Sequence, residues 1–585
     1  MKSTIGIDYT DVRRFESFDP RHGDGRGSNG IINQISRNVT RWNWQNTANY
    51  LKDFGKHSVN LTAGTEYQKQ NISSFTASPS NFSDTFFQQE NIISGSYSTQ
   101  SVGGSAVSAG FDSYFGRILY DYANKYFLTF SARNDGISAL PAAGRRGNFF
   151  GGSLGYKISE ETFYKNSPLA TVINDLKIRA SYAQVGNVNI GSFPYLGLFG
   201  AAQYGSQNGI GFVQAGNPDL KWEASTQTNV GIDWGLLDNR IVLSTEYYNN
   251  DISDLILSAP TAPSLGVPNN SISKNVGALY NRGWEFTVDV EAIKAIDFSW
   301  DINANFSTNT NKVTGLNKGI DGKDQPIILT YHAIRVGEPV ASLYGYLSAG
   351  VNPANGFPLF VKGDGRIVQR NVSSGAYSFY DPENPSVTSN TTGAALLSAD
   401  VSDGGDRRVL GNTNPKWFGG LTNTFKWKGF DLTIFTRFSG GNKIMNVTRQ
   451  ETLLNQDFNN NGREILNRWT TAGQITDVPK IVLNNGNIIN MNGSAISRFV
   501  EDGDFVRIQN IILGYNIPKS ILSKANIGLT GVRLYAQVQN AFTFTKYKGL
   551  DPELNSDGNV NQTFGLDYNT NPQFRVFTFG ANIRF

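Results

Sequence analysis

Hydrophobic and polar residues alternate singly along much of this chain, a period of two that belongs to β-strands with one apolar and one polar side. At the end, Phe577, Phe579, Ala581, Ile583 and Phe585 share one face, and Thr578, Gly580, Asn582 and Arg584 share the other. The middle repeats it. Val230, Ile232, Trp234 and Leu236 oppose Asn229, Gly231, Asp233 and Gly235, and Trp284, Phe286, Val288 and Val290 oppose Glu285, Thr287, Asp289 and Glu291. Phe298, Trp300, Ile302, Ala304 and Phe306 oppose Ser299, Asp301, Asn303, Asn305 and Ser307, and Val532, Leu534, Ala536 and Val538 oppose Arg533, Tyr535, Gln537 and Gln539. Stretches of about ten such residues match what a tilted strand needs to cross the hydrocarbon of a bilayer.

The pattern predicts strands over 2–14, 39–50, 57–70, 112–122, 126–134, 149–157, 175–185, 226–237, 240–251, 283–293, 298–306, 416–427, 430–438, 505–515, 531–543 and the terminal segment. One further pair is expected within 311–415, otherwise mostly loop, which brings the total to about eighteen. Short turns and long loops alternate between them, the sidedness of an outer-membrane barrel with brief turns at one rim and large loops at the other. The expected fold is therefore all-β: a transmembrane antiparallel up-and-down β-barrel. Rings gather near the short turns (Tyr120, Tyr122, Tyr126, Phe127; Trp427, Phe430), as an interfacial girdle requires. Asp233, Glu246, Glu285, Asp289, Glu291, Asp301, Asp431, Arg437, Arg533 and Arg584 all fall on the polar face, where charge is tolerable only beside water, a plug or a solute. A soluble secreted β-protein for adhesion or carbohydrate binding is the alternative of a different class, and it would stay in solution without detergent.

Composition narrows the chemistry. Charged residues make up 17% of the 585, against roughly 25% in soluble proteins, and 62 glycines with 12% aromatics take their place. No apolar run is long enough for a membrane-spanning helix. With no cysteine, thiolate metal sites and Cys nucleophiles are excluded, and His22, His57 and His332 lie far apart. The net charge of +3 and the lack of Lys/Arg clusters give no support to a nucleic-acid partner. The start at Met1 already alternates like a strand and has no apolar signal core, so a chain without its front portion is expected.

Few motifs carry site chemistry, and no cofactor is expected. Asp457 to Gly462 match the opening of a calcium-binding loop, but Arg468 stands where the bidentate Glu belongs. Asp400, Asp403 and Asp406 are the candidate metal ligands, weighed against a solvated turn beside Arg407 and Arg408. Gly23 to Gly27 lack the strand-to-helix context of a phosphate loop. Glu285 and Asp289 sit on one strand among other polar-face acids, so no enzyme activity is expected. Candidate substrate contacts are the loop aromatics Tyr195, Phe199, Tyr204 and Phe212 in 186–225, and Tyr377, Phe379 and Tyr380 in 349–415, because flat apolar rings stack on sugars.

Seven strings then carry a family resemblance: DLKIRASYAQVGN (175–187), NPDLKWE (217–223), NRGWEF (281–286), SLYGY (342–346), LGNTNPKWFGGLTNTFKWKGFDLTIF (410–435), DFVRIQNIILGYNIP (504–518) and QNAFTFTKYKGLDPE (539–553). Their order and spacing resemble SusC/RagA-type TonB-dependent transporters of the Bacteroidota, over essentially the whole chain. The terminal Phe577, Phe579, Ile583 and Phe585 likewise resemble the signal read by the outer-membrane barrel-assembly machinery. The resemblance implies a 22-stranded barrel in outer-membrane lipid, importing oligosaccharides or peptides. It also implies a plug pulled by TonB and a SusD-like lipoprotein at the extracellular mouth. Neither plug nor signal peptide is found in residues 1–585, so the expectation is the C-terminal barrel portion of such a transporter, with a passive porin or siderophore receptor as alternatives. The acidic stretch 400–406 is shorter than the family's usual form.

Overall fold

The computed structural model describes residues 1–81, 99–188, 190–191, 193–205, 207–319, 321–388, 393–397, 405–454, 460–483, 485–525, 528–558 and 561–585. The chain forms two compact units. One comprises Met1–Tyr156, Ser181–Gln227 and Ile252–Val276, and the other Lys157–Ala180, Thr228–Asp251 and Gly277–Phe585.

In the first unit β1 (Lys2–Phe18), β2 (Ile31–Phe54), β3 (His57–Ala77), β4 (Val102–Tyr122), β5 (Tyr126–Ile137) and β6 (Arg146–Lys157) each pair antiparallel with the next. Turn chemistry sets the tight ends. Gly55 has φ +62°, and Ala123 and Asn124 both adopt φ near +56°, the left-handed pair that matches strand twist in a short hairpin. Register places Ile118 opposite Phe130, with Tyr122 opposite Tyr126 and Tyr126 opposite Tyr156. These tyrosines stack in a row at the turn end, centroids 6.2 and 5.0 Å apart. Eight residues further along the same face the side chains become polar, with Asn134 donating to Asn148 at 2.7 Å. The apolar band between is about 20 Å tall, close to the belt of outer-membrane barrels. β2, β3 and β4 run 24, 21 and 21 residues, about twice a membrane crossing, so their far halves stand beyond the band.

Next along the chain come β7 (Ile173–Asn187), a separate ribbon of β8 (Leu198–Tyr204) and β9 (Gln207–Gln214), and then β10 (Glu223–Leu236), β11 (Ile241–Pro260) and β12 (Ser271–Lys294).

In the second unit β13 (Phe298–Thr308) pairs with β12, and β14 (Thr310–Gly315) extends along the same partner. Small sheets follow. β15 (Ile327–Ile328), β16 (His332–Ile334), β17 (Ser342–Val351), β18 (Pro358–Val361), β19 (Ile367–Arg370), β20 (Tyr377–Phe379) and β21 (Arg407–Asn412) build one of them, completed by β25 below. The main sheet resumes with β22 (Trp417–Trp427) and β23 (Phe430–Gly440). After β24 (Lys443–Asn446), β25 (Ala495–Ile496) and β26 (Val500–Asp502), it continues through β27 (Phe505–Asn516) and β28 (Gly531–Thr545). β29 (Leu566–Asp567) joins the sheet of β24 and β26, and β30 (Val576–Arg584) pairs antiparallel with β28.

One apolar rung can be followed across seven strands: Val290, Ile302, Asn423, Ile434, Ile511, Val538 and Phe577. Its single polar member, Asn423, accepts the indole N–H of Trp300 at 3.1 Å. A bulge protects this register. Ile508 faces Phe542 while Asn510 faces Gln539, leaving Gln509 extra on β27 and Asn540 and Ala541 extra on β28. The odd residue turns Arg507 to the polar face while Ile511, Ile508 and Val506 stay on the apolar one.

Among the described residues seventeen strands belong to the main sheet, against the expected eighteen. Residues 311–415, expected to hold one more strand pair, instead place most of their strands in the small sheet. The reason is burial. Leu343, Phe360 and Val368 are apolar in a segment too short for crossing and pack with Met445, Ala495, Ile496 and Phe499 into a core of their own.

Candidate functional site: the polar face and the loop body

The polar face is built from paired charges. Arg179 on β7 spans to Asp233 on β10 (Nε–Oδ2, 3.2 Å) and to Glu246 on β11, while its Nη2 reaches Ser244 Oγ at 3.2 Å. Gly231 makes room, since a Cβ there would lie 2.8 Å from the guanidinium carbon. Arg533 bonds Asp431, and Asn303 donates to Asp289. Arg437 meets Glu553 at 2.7 Å, and Arg507, turned inward by the bulge, pairs with Asp551 at 2.5 Å and Glu553 at 3.2 Å. Gln509 and Asn540, the bulge residues, bond each other at 2.9 Å. Each of these charges has an opposite charge or a hydrogen-bond donor beside it, and the result is a lattice of donors and acceptors.

These contacts join the family-like strings. DFVRIQ supplies Arg507 and Gln509, and QNAFTFTKYKGLDPE supplies Asn540, Asp551 and Glu553. In the first unit Glu223 of NPDLKWE accepts from Asn187 Nδ2 (2.7 Å) and the Ile256 amide (2.8 Å), while Trp222 donates to the Arg145 carbonyl at 3.0 Å. Alternation and motif spacing alone give no role to Arg179, Arg507, Glu223 or Asp551. A basic residue amid an apolar run, as in VRIQNII, was the available signal.

The loop body of the second unit has its own core and buried ion pairs. Gly345 of SLYGY lies against β25, where a Cβ would sit 1.9 Å from the Ala495 carbonyl oxygen. Lys362, buried, bonds Asp406 at 2.9 Å and the Ala395 carbonyl at 2.6 Å. Burial pushes the Asp406 carboxyl up, but the Gly363 and Leu397 amides and the Lys362 ammonium outweigh it, so its pKa is lowered. Arg449 bonds Glu464 Oε2 at 2.6 Å and the Arg498 carbonyl at 3.0 Å. Burial, with Arg449 nearby, pulls Arg498 down to about 10. His332, fully buried, donates from Nε2 to the Phe564 carbonyl at 2.9 Å, and burial lowers its pKa.

Of the candidate metal ligands, Asp400 and Asp403 lie outside the described residues, as do 457–459 of the calcium-like loop. Asp406 is committed to Lys362, and the described residues contain no cluster of three metal-ligating groups. The loop aromatics divide. Tyr377 and Phe379 pack against the loop-body core, with Arg370 and Arg366 over their rings at 5.2 and 4.3 Å. Tyr380 is half-buried, and its amide donates to the Ile367 carbonyl. Tyr195 is half-buried beside Phe193, whereas Phe199 and Phe212, 5.5 Å apart across the ribbon, and Tyr204 at its tip are exposed. Phe577, Phe579, Ile583 and Phe585 are exposed, and the first three face Val538, Ala536 and Val532.

Comparison with known proteins agrees with this geometry. A family model described as "TonB dependent receptor-like, beta-barrel" matches residues 2–541. TonB-dependent receptor P3 of Formosa agariphila is 33% identical over all of this chain and 56% of its own length, and TonB-dependent receptor SusC of Bacteroides thetaiotaomicron is 28% identical over 96% of the chain and 51% of its own. The chain thus spans just over half the length of the curated relatives it matches. The solved RagAB peptide transporter has a similar fold, with a TM-score of 0.77 and 24% identity over 99% of this chain and 59% of the other.

Proposed function

From the premise that this chain belongs to the TonB-dependent receptor β-barrel family of the outer membrane, in its SusC/RagA branch, we propose that it forms the wall and outer loops of an importer of oligosaccharides or peptides. The observation that carries the reading is the polar face, where Arg179 pairs with Asp233 and Glu246, Arg533 with Asp431 and Arg437 with Glu553, leaving a hydrogen-bonding surface for a hydrated solute. Apolar side chains on the opposite face meet lipid. A surface lipoprotein of the SusD type would cap the loop side, and TonB would supply energy through a plug segment of the whole protein. The side chains described here bind and orient, and the members of this family are receptors and transporters.

The test is uptake of labelled oligosaccharide or peptide into cells bearing the whole protein, with and without TonB and with and without an uncoupler. Uptake abolished by either treatment supports the proposal. Uptake indifferent to both, with steady conductance in planar bilayers, would mark a passive porin.

A further inference from the structure

A groove of about 860 Å³ crosses the apolar face of the first unit, over β2 to β6. That volume lies within the roughly 300–1,000 Å³ of ordinary ligand pockets. Strand register sets its shape. One rung across the strands holds Ala48, Ala63, Gly116 and Ala132, and these small residues form the floor. A Cβ on Gly116 would meet nothing nearer than the Thr62 carbonyl oxygen at 3.8 Å, so the floor is open. The next rung toward the short turns is bulky, with Tyr50, Leu61, Ile118 and Phe130 all exposed. The next rung toward the loops is polar and forms a wall of Asn46, Thr65, Tyr114, Asn134 and Asn148.

One rung beyond that wall, on the same face, stand Trp44, Tyr67, Asp112 and Arg146. The rings make a belt, Trp44 lying 6.0 Å from Tyr67 and Tyr67 lying 6.4 Å from Tyr114 between centroids. Such a belt marks the border between hydrocarbon and headgroups. Arg146 lies over the Tyr114 ring at 5.4 Å, bonds Asp112 and donates to Asn134 at 2.5 Å, yet its side chain stays 43% exposed. Lys69, a further rung toward the loops, is exposed and has no partner among the described residues. Two cations against one anion leave this border positive.

An apolar trough ending beneath amides, hydroxyls and a net positive charge fits an amphiphile with an anionic, hydrogen-bonding head. We propose that this groove seats one molecule of the phosphorylated glycolipid of the outer leaflet, the lipid A part of lipopolysaccharide. An acyl chain lies over Ala63 and Gly116, a phosphate meets the open edge of Arg146, and the sugars follow the polar wall. Two observations select this lipid. The groove sits at the loop-side border of the apolar band, which in an outer-membrane barrel is the outer leaflet. The wall from Thr65 to Asn148 spans three strand spacings, about 14 Å, so a single phosphodiester head would leave most of it unused. The proposal depends on the outer-membrane setting and is independent of what the protein imports.

The experiment is native mass spectrometry of the full chain in detergent, titrated with purified lipid A, dephosphorylated lipid A, phosphatidylglycerol and phosphatidylethanolamine. Lipid A is expected to bind tightest. Gly116→Leu fills the floor and should weaken lipid A binding about ten-fold, because the chain loses its seat. Arg146→Gln should weaken it about ten-fold as well, by loss of a charge-assisted bond, and should leave dephosphorylated lipid A unaffected. If Gly116→Leu does not fold, Ala63→Leu on the same floor rung replaces it. Phosphatidylglycerol or phosphatidylethanolamine bound as tightly as lipid A would show a face that takes any lipid and would overturn the proposal. So would a lipid A affinity unchanged by the floor variant or by Arg146→Gln.

Discussion

Two long connections of this protein solve the same problem in opposite ways. The loop body of the second unit buries a core around Leu343, Phe360 and Phe499 and fixes it with interior ion pairs such as Lys362–Asp406 and Arg449–Glu464. The β8–β9 ribbon of the first unit lies in a stretch, 180–218, that contains no charged residue or histidine. Its side chains stay in the open, with Ile210 80% and Tyr204 92% exposed. Two strands alone do not make an independently stable sheet, and an apolar surface left in water is a surface that meets something. The loop body therefore carries its geometry within itself, and the ribbon leaves its geometry to a neighbour.

The sharpest way to break that contrast is at Gly345. Any side chain there would overlap the Ala495 backbone, which no rotamer change relieves. Gly345→Val should unfold the loop body altogether while the main sheet still forms. Limited proteolysis would then cut within 316–416 and 441–504 and spare the strands, and a protease-resistant variant would show that the close approach is not required. Next in size is Lys362→Met. It leaves Asp406 buried without its counter-charge, a loss of about 3–5 kcal/mol by the usual cost of breaking a buried pair. The double variant with Asp406→Asn should recover most of the loss, because two neutral groups carry no unpaid charge, and chemical denaturation of the three proteins checks it.

How much of this was legible beforehand follows from periodicity. The strands of the main sheet were readable because their period of two runs unbroken through the band, as in Phe298 to Phe306 and Val532 to Val538. Their extensions were not. The far halves of β2 and β3 mix polar and apolar residues on both faces, with Ile32 and Val39 buried while Asn71 accepts from Ser108 and Ser74 bonds Ser105, so alternation carries no clean signal there. The bulge at Gln509 was hidden for a related reason: it changes which face Arg507 takes without changing composition. The small strands of the loop body are too short for periodicity, and their pairing depends on contacts distant in sequence, such as Gly345 with Ala495. Nothing local tells an aromatic that packs, like Phe379, from one that stays in water, like Phe199.

A milder probe of the loop body is pH. His332 has its pKa lowered by burial, so the folded form binds a proton later than the unfolded chain does. The sign follows: the stability contribution is complete above the unfolded value near 6.5 and falls away as the pH drops from there toward the folded pKa. Melting of the loop body, followed by tryptophan fluorescence, should therefore decline on acidification below pH 6.5. His332→Asn should flatten that part of the profile, and an unchanged slope would assign it to the carboxylates instead.

The smallest effect on stability is expected in the ribbon, and that smallness is what tests it. Phe199 and Phe212 touch each other across the strands, but Tyr204 and Ile210 project into solvent. Replacing both with serine removes apolar surface that is as wet in the folded protein as in the unfolded one, so no burial is lost. The variant should melt within about 0.5 kcal/mol of the parent, the range of surface substitutions away from packed features. Binding of a hydrophobic dye should drop, because the exposed apolar surface itself has been taken away. If the double serine variant instead melts early, those side chains are packed in the working protein and the ribbon is a second folded body. If stability holds and dye binding falls, the ribbon is a free apolar surface whose order depends on what it meets.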